Sequence, residues 1–304
     1  MPEPTVVHWH GLRIPAATDG TEVVQRPIQP GETFTYTFTP PDAGTFWYHP
    51  HANETEQLEK GLYGALIVRG TDEPILDGEQ ILVLDDLKVD PKGRLARFGT
   101  LMERHNGREG NVRLVNGKAE PELAIVAGQI ERWRIINASS ARTVRLAIGG
   151  QPFQILGTGG GLLESPVEAT EILLAAADRV DLVVGPFAEG ELLALEALPY
   201  NRGTGERQVE RFATLKVGPA KPSTAVIPQC LRTIEPLVTG VVTPNCTIKL
   251  SGRMSLRRGF DFLINDEMHH HAEPVKMGEL QVWDIVNVAP IDHPFHFLTS
   301  TRHC

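Results

Sequence analysis

Residues 128–137, Gly-Gln-Ile-Glu-Arg-Trp-Arg-Ile-Ile-Asn, return at 278–287 as Gly-Glu-Leu-Gln-Val-Trp-Asp-Ile-Val-Asn. Upstream, Leu114-Val115-Asn116-Gly117 corresponds to Leu263-Ile264-Asn265-Asp266, with the interval shorter by one residue. In both copies Trp, Ile and Asn fall at i, i+2 and i+4, which is one face of a β-strand. Either copy alone reads as a coincidental amphipathic strand. Two copies at a domain-sized interval predict a chain built by domain duplication.

The remaining pattern is strand-like. Thr33-Phe34-Thr35-Tyr36-Thr37-Phe38-Thr39 alternates strictly, with aromatics on one face and threonines on the other. Period two over such a run predicts a half-buried strand, punctuated by Gly31 before it and Pro40–Gly44 after it. Further strands are expected at Leu62–Val68, Ile81–Leu84, Trp133–Asn137, Val144–Ile148, Ile172–Ala175, Val180–Val184 and Phe212–Val217. Glu54–Lys60 is the best short helix candidate. Short strands separated by turns predict an all-β chain of tandem Greek-key sandwiches. The proline-rich Gly218–Gly240 reads as a linker. Domain one is therefore placed at 1–72, domain two at 73–217 and domain three at 241–304. The first and third are too short for complete sandwiches of ~100 residues.

Composition excludes several classes. Lys and Arg total 29 against 38 acids, a net charge of −9. That balance argues against a nucleic-acid surface, which needs basic side chains on phosphates. Ile172–Ala177, among the longest apolar runs, is far short of the ~20 residues of a membrane helix. Met1-Pro2-Glu3-Pro4 lacks the basic and apolar regions of a secretory signal. Cys230, Cys246 and Cys304 form neither a disulfide framework nor a Cys-x-x-Cys site. Cys230 and Cys246 could pair in an oxidising compartment, and two unpaired small residues is an equally good reading.

The histidines carry the chemistry. His8-Trp9-His10-Gly11 and His49-Pro50-His51 are both His-x-His pairs, and His293-Pro294-Phe295-His296 forms a third group. In an extended strand i and i+2 share a face, so each pair offers two imidazoles to one site. A single pair is a weak signal. Two pairs plus a third group predict a metal centre. No thiolate set for structural zinc accompanies them, and His-Glu-x-x-His is absent. An imidazole set drawn from several strands suits copper.

Three further stretches complete the pattern: Thr5–Leu12, Phe46–His51 with Gly61–Val68, and Gly278–Asn287 with Asp292–His296. Together they resemble the copper motifs of the multicopper oxidases, most closely the laccase-like bacterial members with three cupredoxin domains. The resemblance implies copper as cofactor, with O2 and a small reducing substrate as partners. It implies one-electron oxidation of phenols, amines or metal ions coupled to reduction of O2 to water, in a periplasmic or secreted protein. It also implies that His8 and His296 ligate the type 2 copper, that His10, His49 and His51 ligate the paired type 3 coppers, and that His293 is a type 1 ligand. Ala138-Ser139-Ser140, after the middle repeat, carries no histidine, as in a copper-free middle domain.

The family pattern continues differently after His296. Leu298 stands where it has another histidine, and its later His-Cys-His segment has no counterpart, since His303-Cys304 reads as coincidence. The expectation is an incomplete ligand set, weak copper binding and no blue colour in this chain, as in a non-catalytic copper-binding fragment. A cupin-type single-metal enzyme with Glu56 beside His49 and His51 is the more distant alternative. His269-His270-His271 reads as a polar loop, because successive strand residues point to opposite faces. Gly157–Gly161 reads as a turn. Asp85, Asp86, Glu54 and Glu56 read as solvated carboxylates.

Overall fold

A computed structural model describes all residues except 1, 72, 238–241, 256–258, 269, 271, 277, 297–299 and 302–304. Its regular structure is almost wholly β-strand. The N-terminal part contributes β1 (Val7–His10), β2 (Ile14–Pro15), β3 (Gly44–Pro50), helix α1 (Glu54–Glu59) and β4 (Gly64–Val68). Strands β1, β3 and β4 form a sheet in that order. Its apolar side buries Leu12, Ile14 and Phe46 against Trp9, Phe38, Leu66 and Val68.

The middle part runs β5 (Gly78–Leu87), α2 (Leu101–Asn106), β6 (Val112–Val115), β7 (Lys118–Ala119), β8 (Glu122–Val126), β9 (Glu131–Asn137) and β10 (Val144–Ile148). It continues with β11 (Phe153–Thr158), β12 (Gly161–Ala169), β13 (Glu171–Leu174), β14 (Arg179–Val184), β15 (Leu192–Leu198) and β16 (Glu210–Gly218). One sheet has the order β13-β10-β15-β16-β8 and the other β12-β11-β14-β9-β5-β6-β7. Alternate residues of both sheets, among them Trp133, Ile135, Leu146, Leu182, Leu195 and Phe212, share one buried core. This is a β-sandwich, whose two inner faces interdigitate. Gly157–Gly161 lies at the tip of the β11–β12 hairpin, a turn as expected.

The C-terminal part holds β17 (Cys246–Ser255), β18 (Gly259–Ile264) and β19 (Trp283–Asn287) in the order β18-β17-β19. A short β20 (Ser300–Thr301) runs parallel to β2 and returns the chain to the N-terminal part.

The repeat is structural as well as sequential. Strand β9 pairs in parallel with β5, and β19 with β17. Asn116 accepts a hydrogen bond at Oδ1 from the Val83 amide, and Asn265 from the Lys249 amide, each at 2.8 Å. Asn137 Oδ1 accepts from Ser139 N while its Nδ2 donates to Arg142 O. Asn287 does the same with Ala289 and Ile291. The repeated asparagines thus pin the same two turns. The burial of the two tryptophans differs: Trp133 is sealed in the core, whereas Trp283 is half-buried. The three-stranded sheet that carries Trp283 has no second sheet over it among the described residues.

Two expectations are corrected. Thr33–Thr39 is extended but forms no ladder. Its alternation survives as packing, since Tyr36 and Phe38 cover Trp9 while the threonines face solvent. Asp85 and Asp86 are buried, not solvated, because partners come from distant elements. Tyr63 donates to Asp85 at 2.7 Å, and Arg142 and the Gly110 amide donate to Asp86 at 2.6 and 2.8 Å. Burial, with the neighbouring Asp86 charge, pushes the Asp85 carboxyl up to about 8.

Candidate metal centre

Strands β1 and β3 set the site. They pair antiparallel with His8 opposite His49 and His10 opposite Trp47. The two-residue period turns His8 and His10 to one buried side, while Trp9 packs on Tyr36, Phe38 and Tyr48 on the other. His51 lies one residue beyond β3, and its amide donates to Val6 O at 2.9 Å, extending the ladder to hold it.

Five of the six expected histidines come together. The His8 ring stacks on His51 at 4.2 Å and lies 5.4 Å from His49 and 5.5 Å from His10. His296, from the far end of the chain, sits edge-on to His10 at 5.1 Å. His293 stands apart from them. It packs edge-on to Phe262 at 5.0 Å and lines a separate cavity with Arg202 and Asp292. Of the His269–His271 run, His269 and His271 lie outside the described residues. His270 faces Asn265 and Glu267. Leu298, His303 and Cys304 also lie outside them.

The ring protons are placed by the backbone. His8 Nδ1 donates to the Asp19 main-chain carbonyl at 2.8 Å. His49 Nδ1 donates to Pro50 O at 3.1 Å, with a Glu54 carboxylate oxygen 3.3 Å away. Each bond leaves Nε2 as the lone-pair nitrogen. The His49 Nε2 atom lies 3.3 Å from His10 Nδ1. The His8 Nε2 atom is buried without any hydrogen-bond partner.

Burial also favours the neutral form of the His10, His51 and His296 rings. It pulls His51 down to about 4, helped by His8 and His49. His10 is lowered further, first by burial and then by the Arg179 charge. His296 is lowered mainly by burial. A neutral imidazole is the form that ligates. Donor nitrogens of His8, His49 and His51 all lie within 4.8 Å of one another. An orphaned buried nitrogen among converging imidazoles is the donor set a copper ion takes, so these residues fit the metal. Glu56 does not join them: its carboxylate pairs with Lys60 and Asn53. The single-ion site of a cupin therefore lacks its carboxylate.

Sequence reading missed three neighbours. Asp19 reaches His8 because Gly20 folds against β1, where a Cβ would stand 1.7 Å from Val7 O. The Asp-Gly pair signals a turn, although not its target. Glu54 borders His49 despite being half exposed. Arg179, on β14 of the middle sandwich, is buried against Gly11. Cys230 and Cys246 are free.

A family model described as multicopper oxidase matches residues 1–73, and a second so described matches 87–189. Multicopper oxidase MmcO of Mycobacterium tuberculosis is 30% identical over 97% of this chain and 65% of its own length. A multicopper oxidase LPR1 homolog of Oryza sativa is 29% identical over 98% of this chain and 57% of its own. The chain thus spans about 60% of the length of these relatives. The solved structure of a Campylobacter jejuni multicopper oxidase, described as a metallo-oxidase, superimposes with a TM-score of 0.79 at 28% identity. That match covers 97% of this chain and 66% of the other. With these matches over its fold and both His-x-His strands, the chain belongs to the multicopper oxidase family.

Proposed function

We propose that this chain is the copper-binding part of an oxidoreductase that couples one-electron oxidation of a small reductant to reduction of O2 to water. The carrying observation is the convergence of four imidazoles from β1 and β3 with His296, around the unpartnered His8 Nε2. Copper is the family's cofactor, and when bound it supplies the one-electron redox chemistry that side chains lack. His8 and His296 are assigned to a type 2 copper, His10, His49 and His51 to the type 3 pair, and His293 to a type 1 site.

The protein's own part is to hold these rings oriented and dry. The carbonyls of Asp19 and Pro50 fix the tautomers of His8 and His49. Trp47, stacked on His49 at 4.3 Å, walls the cluster from solvent. The division into 1–72, 73–217, a 218–240 linker and 241–304 fits this reading, with the middle sandwich as a copper-free spacer. Phenols, aromatic amines and metal ions are the candidate reductants, in a periplasmic or secreted setting. Among the described residues no helix is long and apolar enough to cross a membrane.

The test is copper loading of the purified chain, followed by metal analysis and oxygen uptake with a phenolic donor. The reading requires copper retained on the chain and lost when His8 and His49 are replaced. Oxygen uptake above that of free copper assigns turnover to this chain. Copper held without uptake restricts it to the binding part of the oxidase.

A further inference from the structure

Arg179 opens β14 on the middle sandwich yet packs against Gly11, the residue after His10. Arg179 is 8% exposed. Nε donates to Thr45 O, Nη1 to Ala177 O and Nη2 to Gly159 O, at 3.3, 3.0 and 3.0 Å. Thr45 sits on β3, the strand that carries His49. The group is wedged between two glycines: a Cβ on Gly11 would stand 2.4 Å from Nη2, and one on Gly159 2.6 Å. Gly11 directly follows His10. The adjoining Ala176 bonds the His296 ring through its backbone. Among the described residues no carboxylate pairs with Arg179. Asp178 acts on it only through its charge, and burial outweighs that attraction, lowering the guanidinium from its ordinary value.

A buried cation without an anion costs stability, and carbonyl dipoles offset this only in part. The same charge does have an effect on a metal site. A fixed positive charge repels a bound cation in proportion to that cation's charge, so it disfavours a divalent ion more than a monovalent one. We propose that Arg179 is a positioning residue that ties β3 and the Gly11 backbone to the middle sandwich and whose unpaired charge biases the histidine cluster toward the monovalent state of bound copper. The proposal rests on the copper reading of that cluster.

The test measures Cu(I) and Cu(II) affinities of the whole chain by competition with chelators, for wild type, Arg179→Gln, Arg179→Lys and Asp178→Asn. Arg179→Gln should raise the Cu(II)-to-Cu(I) affinity ratio roughly tenfold. For a one-electron couple that is a fall of about 59 mV in potential. Arg179→Lys should hold the ratio near wild type, although lysine cannot reproduce three carbonyl bonds. Asp178→Asn removes the offsetting charge and should move the ratio the other way, which keeps the idea testable if Arg179→Gln does not fold. Equal losses of both affinities with an unchanged ratio would reduce Arg179 to a backbone clamp and overturn the proposal. A ratio in Arg179→Lys equal to that in Arg179→Gln, or no shift in Asp178→Asn, would overturn it too. A wild-type chain that binds no copper overturns the metal-centre reading itself, and this inference with it.

Discussion

The His8 ring donates from Nδ1 to the main-chain carbonyl of Asp19 over 2.8 Å, and this bond decides which nitrogen remains for a metal. The nearer acceptor is backbone, set by the fold of the Gly20 turn, and the Asp19 carboxylate oxygen lies 3.4 Å from the same Nδ1. The Nε2 atom so exposed is buried and unpartnered, in a cluster where His49 is oriented the same way by Pro50. A ligand nitrogen left bare in a polypeptide interior carries a desolvation cost that metal binding removes.

Replacing a ligand and replacing its outer partner should differ in size. Glu54→Gln weakens only the orientation of His49, so copper affinity should fall roughly tenfold. His49→Gln removes the donor itself and should cost roughly 100-fold or more. Chelator competition on both variants checks the order. Equal losses would show that His49 is not a ligand.

Copper retention should follow the protonation of the rings. Free histidine starts to protonate near 6.5, but burial holds His51 at about 4. Copper should therefore stay bound as pH falls below 6.5, since protons compete for the His51 lone pair only near and below 4. In the metal-free chain the same depressed value means stability is full above 6.5 and lost as pH falls toward 4. Melting curves of wild type and His51→Gln across this window should converge at its acid end.

Asp85 has the opposite sign. Its folded value is raised to about 8, so its contribution is full at low pH and is lost as pH rises through 8. Asn accepts the Tyr63 bond without titrating. Asp85→Asn should thus gain melting temperature on wild type at pH 9 and show a smaller difference at pH 5. A constant difference at both pH values would mean that Asp85 ionises normally.

Thr45 joins the metal-bearing strand to the middle sandwich by donating to the buried Asp181 carboxylate, which Arg132 and Arg134 also hold. Thr45→Val should destabilise the chain by about 1–3 kcal/mol in urea unfolding, because it leaves a buried acceptor short of a donor. The exposed Thr37→Val should stay within about 0.5 kcal/mol of wild type. A silent Thr45→Val would show that this contact does not couple the two parts.

The histidine pairs are legible in the sequence because strand geometry is local: i and i+2 share a face wherever the strand lies. The repeated Trp-x-Ile-x-Asn strand is legible for the same reason, although the turns its asparagines pin are not. The Thr33–Thr39 segment shows the limit. Its period two correctly orders which side chains pack, but a ladder also needs a neighbouring strand edge, which no local pattern reports. Asp85 and Asp86 fail as surface residues because Tyr63 and Arg142, distant in sequence, meet them only in the fold. Arg179 and His296 approach the cluster by the same nonlocal route. For His296 the histidine clustering and the family resemblance pointed there, and for Arg179 nothing did.

The central claim is that copper binds to the converging imidazoles of β1 and β3, and X-ray absorption at the copper edge tests it most directly. The copper-loaded chain should show a first shell of nitrogen or oxygen at about 2 Å with imidazole outer-shell scattering, as expected of histidine ligands. The His8→Gln, His49→Gln double variant should lose that signal with its copper. A sulfur-dominated shell, or an unchanged spectrum and copper content in the double variant, would contradict the account.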